Sequence, residues 1–161
     1  MEEKTMNKSQ TLFFTGHRDI QNTEKLRELL KDTVKIFIGK GYKYFVAGGA
    51  LGFDMLAADC ILELRDAGED VELILMLPCK NQAAKWSPED VRKYQGHLQL
   101  ADRVIYVSET YTTGCMFLRN RAMADASSVC VAYCNRHAGG TAYTVSYASK
   151  LGLSIVNLAR G

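Results

Sequence analysis

Three stretches of this sequence combine charged side chains with bare backbone in a way that suits a ligand site. TGHRD, from Thr15 to Asp19, places Gly16, His17 and Arg18 in succession. VAGGALGFD, from Val46 to Asp54, crowds Gly48, Gly49 and Gly52 around Ala50 and ends on the carboxylate of Asp54. NRHAGGT ends on Gly139, Gly140 and Thr141. Glycine lets backbone N–H groups come close to a ligand and permits positive φ. A helix that starts just after such a loop offers unpaired N–H groups and the positive end of its dipole, a seat for an anion and above all for a phosphate. Two glycine-rich helix starts suit a ligand with more than one charged or polar part, such as a nucleotide.

The side chains beside these loops each carry two readings. Arg18 could clamp a phosphate with its planar fork, or form a surface salt bridge. His17 is either a ligand contact or a hydrogen-bonded structural histidine. Asp54 falls in the first turn of a helix, where an acid complements the dipole; it could also bind ribose hydroxyls or substrate, and it is the best candidate for a catalytic carboxylate. Arg119 and Arg121 flank Asn120. Two positions apart on a helix they cannot share a face, so at most one is expected to point at the site. Trp86, the single tryptophan, follows a strand in a polar loop, where it stacks on a base or partner or packs the loop down. His97 and His137 have no partners at metal-ligand spacing, so no metal is expected. GGALGFD lacks the G-x-G-x-x-G spacing and no G-x-x-x-x-G-K-[ST] occurs, which argues against a dehydrogenase or a P-loop NTPase.

The elements that must hold these residues alternate between strand and helix. Apolar runs predict strands at Thr11–Gly16, Lys43–Ala47, Val71–Leu77, Arg103–Ser108, Ser128–Cys134 and Ser154–Leu158. Between them lie helical spacings: one from Thr23, a plausible N-cap, with Gly39 and Gly41 as its stop; Leu51 to Arg65, closed by Gly68; one opening at Pro88; Thr113 to Ala126; and Gly139 to Leu151. Continuous apolar strands are buried on both faces, and strands separated by helices run parallel. The expected fold is α/β: a single Rossmann-like three-layer domain over residues 11–161, with a mainly parallel sheet and helices on both faces. Residues 1–10 read as a flexible lead-in. In such sheets ligands bind beyond the carboxyl ends of the strands, where the strand order reverses, and all three stretches fall at such ends.

Composition bounds the partners. Twenty Lys and Arg against 18 Asp and Glu give a net charge of +2 over 161 residues, which argues against a general nucleic-acid binder. No apolar run approaches a membrane span, and the polar start MEEKTMNKSQ does not resemble a signal peptide, so a cytoplasmic, reducing location is expected. The five cysteines, with no Cys-x-x-Cys pair, are then expected to be free thiols that pack in the core. The oligomeric state is left open, a homo-oligomer included.

In order along the chain, TGHR, VAGGALGFD, RNRAMADASSVCVAYC and GGTAYTVSYASKLGLSIVNL resemble the SLOG superfamily, which joins the Smf/DprA DNA-processing proteins, the LOG-type phosphoribohydrolases and the YpsA-like proteins. The GHR form of the first loop, Gln82 with Lys85–Trp86, and RNRAMAD resemble the YpsA-like branch. The resemblance covers the chain from Thr11 onward. It implies a Rossmann-like fold and a nucleotide-derived ligand, NAD- or ADP-ribose-like, bound by a sensor or regulator. No cofactor beyond such a ligand is implied. The LOG-type branch implies the alternative, hydrolysis of a nucleotide glycosidic bond. That branch has a glutamate three residues beyond its threonine, and here Thr144 follows Thr141 at that spacing. If an enzyme, this chain would have to use Asp54 as its carboxylate. The DprA branch implies a third reading, a module that binds single-stranded DNA.

Overall fold

The computed structural model describes residues 6–159. Strands Thr11–Gly16 (β1), Tyr44–Ala47 (β2), Glu72–Leu77 (β3), Arg103–Tyr106 (β4), Val129–Tyr133 (β5) and Ser154–Asn157 (β6) form one sheet in the order β4-β3-β2-β1-β5-β6. Every neighbouring pair is parallel. Helices Thr23–Gly39 (α1), Phe53–Asp66 (α2), Pro88–Leu100 (α3), Cys115–Asp125 (α4) and Gly140–Lys150 (α5) make the crossovers.

The period of the strands assigns the layers. Leu12 and Phe14 point to the side covered by α1, α2 and α3, while Phe13 points to the side covered by α4 and α5. All three are fully buried, and each phenylalanine contributes roughly 1.5–3 kcal/mol through its burial. This is why TLFFTG reads as an unbroken apolar run rather than an alternating one. Val46, Ile74 and Cys130 continue the Phe13 layer across neighbouring strands.

Local signals set the ends of the helices. Pro88 occupies the first turn of α3, and the Ser87 hydroxyl accepts the Asp90 N–H at 3.2 Å. Gly41 and Gly68 take φ of +95° and +103° where α1 and α2 end. The start of α1 departs from expectation. The cap is Asn22, in the left-handed region at φ +50°, and Thr23 is the first helical residue; asparagine tolerates that conformation better than a β-branched threonine does. In the lead-in, Lys8–Gln10 form a 3-10 turn with the Asn7 side chain accepting from Ser9 N–H. Residues 1–5 lie outside the described residues.

Candidate functional site

The strand order reverses between β1 and β5, so the loops leaving these two strands frame the crevice at which ligands bind in such sheets. His17 joins them. Its N–H donates to the Tyr133 carbonyl at 3.3 Å, and its Nε2 accepts the Asn135 N–H at 3.1 Å. Its own carbonyl accepts the Phe53 N–H at 3.1 Å, which ties the loop to the start of α2. Burial lowers the His17 pKa below its usual value, and the nearby Arg136 guanidinium lowers it further. The imidazole is therefore neutral, with its proton on Nδ1 and its Nε2 lone pair spent on Asn135.

The first two glycine stretches are closed on protein atoms. A Cβ at Gly16 would stand 2.5 Å from the Phe53 ring, and one at Gly52 would stand 2.6 Å from Arg18 Cα. Gly49 has φ +70°, and a side chain there would run into Leu77. At Gly48 a Cβ would meet Arg119 Nη1 at 2.6 Å and Asp54 Oδ2 at 2.9 Å. Each of these glycines thus has a packing reason that requires no ligand.

Asp54 and Arg119 meet around Gly48. Both are buried, each 5% exposed. Asp54 Oδ2 accepts the Ala50 N–H at 3.3 Å; the Gly48 N–H also donates to this carboxylate. Burial pushes the Asp54 pKa up to about 6, against the pull of Arg119 and these two N–H groups. Arg119 donates through Nη1 to the Gly48 carbonyl and through Nε to Asn120 Oδ1 at 2.7 Å. Cys79, Tyr94 and Cys115 complete its surroundings. Arg121 faces the other way and donates to the Tyr143 hydroxyl on an exposed surface, so only one of the two arginines turns inward, as their spacing required. Asn120 orients Arg119.

Trp86 is half-buried, and its ring meets Tyr94 edge-on at 5.2 Å. Gln82 Nε2 donates to the Tyr94 hydroxyl at 3.1 Å and to the Gly49 carbonyl at 3.4 Å. The loop after β3 is thereby laced to the turn after β2. Arg18 is exposed and lines a cleft of about 400 Å³ with Leu51, Gly52, Met55, Asp59 and Lys93. In that wall Asp59 accepts from His97 Nε2 at 2.6 Å and pairs with Lys93 at 3.1 Å.

The third stretch differs from the others. Gly139, at φ +103°, caps α5, and neither Gly139 nor Gly140 has any atom within 4 Å of the place a Cβ would take. Thr141 begins the first turn beside them. Thr144 is fully buried, and its hydroxyl donates to the Gly140 carbonyl at 2.8 Å. The N-terminus of α5 is therefore the open helix start of this crevice. Asn135, whose N–H binds His17, and Arg136, which lies close to it, were not singled out from the sequence, although they stand in the same NRHAGGT segment. Among the described residues no group of three His, Cys, Asp or Glu could hold a metal, and no helix is long and apolar enough to cross a membrane. Cys60, Cys79, Cys115 and Cys130 are buried free thiols, and Cys134 is half-buried.

Comparison with known proteins agrees with the fold. The chain is 31% identical over 139 residues to the uncharacterized SPbeta prophage-derived protein YoqJ of Bacillus subtilis, covering 78% of this chain and 81% of that one. It is 25% identical over 142 residues to the UPF0398 protein BH1768 of Halalkalibacterium halodurans, covering 86% and 74%. Among solved structures it is similar to DNA processing protein A of Helicobacter pylori, with a TM-score of 0.65 and 18% identity over 90% of this chain and 63% of that one. DprA of Streptococcus pneumoniae gives a TM-score of 0.67 and 16% identity over 92% and 50%. The chain thus spans about half to two thirds of these DNA-processing proteins, and at such identity the likeness is one of fold. The YspA SLOG family matches residues 8–154, nearly the whole of the sheet and its helices, and this chain belongs to it.

Proposed function

We propose that this protein binds a nucleotide or nucleotide-derived ligand, of NAD or ADP-ribose type, at the β1/β5 crevice, and acts as a cytoplasmic sensor or regulator. The observation that carries this reading is the uncovered N-terminus of α5, where Gly139 and Gly140 face open space. Backbone N–H groups there, with the helix dipole behind them, favour a phosphate. Arg18, exposed at the end of β1, would supply a second cationic contact.

The closed turn after β2 plays a different part in this reading. Asp54 and Arg119 brace the loop from beneath and hold the floor of the crevice. Glycosidic hydrolysis is the less supported alternative, because the Asp54 carboxylate is buried and accepts from the Gly48 and Ala50 N–H groups, while Thr144 is committed to Gly140. A single strand of nucleic acid is a further reading, favoured by likeness in fold to a Helicobacter pylori protein described as binding single-stranded DNA.

The test begins with mass spectrometry of small molecules released from the purified protein, followed by calorimetry with ADP-ribose, NAD and AMP. Gly140→Val places a branched side chain in open space at a position without positive φ. Binding at least tenfold weaker, about 1.4 kcal/mol, at an unchanged melting temperature is expected. Equal binding by Gly140→Val and the parent would sink the proposal.

A further inference from the structure

A second cleft, of about 620 Å³, lies between α5, β6 and the loop after β5. Its charged lining is one-sided. Arg136, His137 and Lys150 line it, and no Asp or Glu does. Arg136 and Lys150 make no ion pair among the described residues, so neither charge is spent on a carboxylate. Ser146, Ser149 and Lys150 stand three and four residues apart, so α5 presents both hydroxyls and the ammonium along one face. Ile155 gives the cleft an apolar portion.

We infer that this α5–β6 cleft is an anion site that takes a phosphate-bearing organic ligand, with the phosphate held by Arg136 and Lys150 and by the α5 hydroxyls, and the uncharged part laid against Ile155. The inference rests on the proposed function for the nucleotide character of the ligand; Ser146, Ser149, Lys150 and Ile155 belong to the cleft alone. Arg136 links the two places. It lines the cleft and is also close enough to His17 to bias that imidazole electrostatically. A ligand with two phosphates can therefore reach from the α5 N-terminus into the cleft, and one with a single phosphate would fill only one of the two positions.

The experiment uses the full chain, 15N-labelled, titrated with ADP, inorganic phosphate and adenosine at low salt. Amides of Ser146, Ser149 and Lys150 should shift with ADP and phosphate but not with adenosine. Salt should weaken the effect through screening. In an Arg136→Glu/Lys150→Glu double variant, affinity for ADP should fall at least tenfold; Lys150→Ala, a milder change on an exposed side chain, should lose part of that, with melting temperatures checked for both. Shifts confined to Arg18 and Gly139–Thr141, with unchanged affinity in the variants, overturn this inference and leave the proposed function standing. Shifts confined to the cleft do the reverse. A twelve-residue oligothymidylate that moves the cleft amides when ADP does not would support the anion site and identify a nucleic-acid backbone as the source of its phosphate. Silence with all probes overturns both.

Discussion

Replacing Arg119 by methionine tests whether Asp54 and Arg119 work as one unit beneath the crevice. Methionine keeps an unbranched stem of similar length and removes the cation. The parent arginine is 5% exposed and donates to the Gly48 carbonyl and to Asn120. Its loss leaves a buried carboxylate without its compensating charge, which costs about 3–5 kcal/mol. For a domain of this size that corresponds to a fall in melting temperature of roughly 6–20 °C. The pH dependence is the sharper readout. Asp54 has a folded-state pKa raised from 3.8 to about 6, so the native state holds this proton more tightly than the unfolded chain does. Its contribution to stability is full below about pH 4 and is lost as pH rises through 6. Without Arg119 the carboxyl pKa moves higher still, and the window of loss extends toward neutral pH. Each further unit adds about 1.4 kcal/mol to the deficit at pH 8. The deficit of Arg119→Met should therefore be larger at pH 8 than at pH 5, measured by urea melts and by the 13Cγ shift of Asp54. A deficit equal at both values, or an Asp54 that titrates near 4 in the parent, would refute the coupling.

Other perturbations follow from the same geometry. Gly49→Val should destabilise by more than about 2 kcal/mol, because φ of +70° and contact with Leu77 act together, whereas Gly140→Val should melt like the parent; paired thermal scans check the contrast. His17→Ala orphans the Asn135 N–H and should cost about 1–3 kcal/mol. The lowered His17 pKa makes the parent lose stability as pH falls below 6.5, and that slope should vanish in the variant when urea melts are repeated from pH 5 to 8. Turnover of nucleoside monophosphates should be absent, and Thr144→Glu should fail to install it, since that position is fully buried; release of free base, followed by chromatography, is the assay.

The sheet was legible because its signal is local and one-dimensional. Leu12–Phe14, Tyr44–Ala47 and Leu73–Leu77 are consecutive apolar residues, and a strand covered on both faces uses such a run. Gly41, Gly68 and Pro88 marked helix ends because their φ preferences act without any tertiary partner. The three ligand-loop stretches were also visible, since a glycine cluster followed by a helix is a pattern along the chain.

What those glycines do was decided elsewhere. Gly16, Gly48, Gly49 and Gly52 are surrounded by Phe53, Arg119, Leu77 and the Arg18 backbone. Three of these four neighbours come from other elements, so nothing in VAGGALGFD could distinguish a closed turn from an open one. Of the glycines in these three stretches, Gly139 and Gly140 are the ones that face open space. The His17 ring is held by the Asn135 N–H, 118 residues away, and the inward turn of Arg119 depends on Gly48, 71 residues away. The sequence by itself determined which backbone segments can bend, which are buried, and therefore the layered sheet, because those preferences belong to single residues and their immediate neighbours. The tertiary structure decided which side chains fill which gaps, and so which helix start remains uncovered, because such contacts exist only once distant strands have been brought side by side.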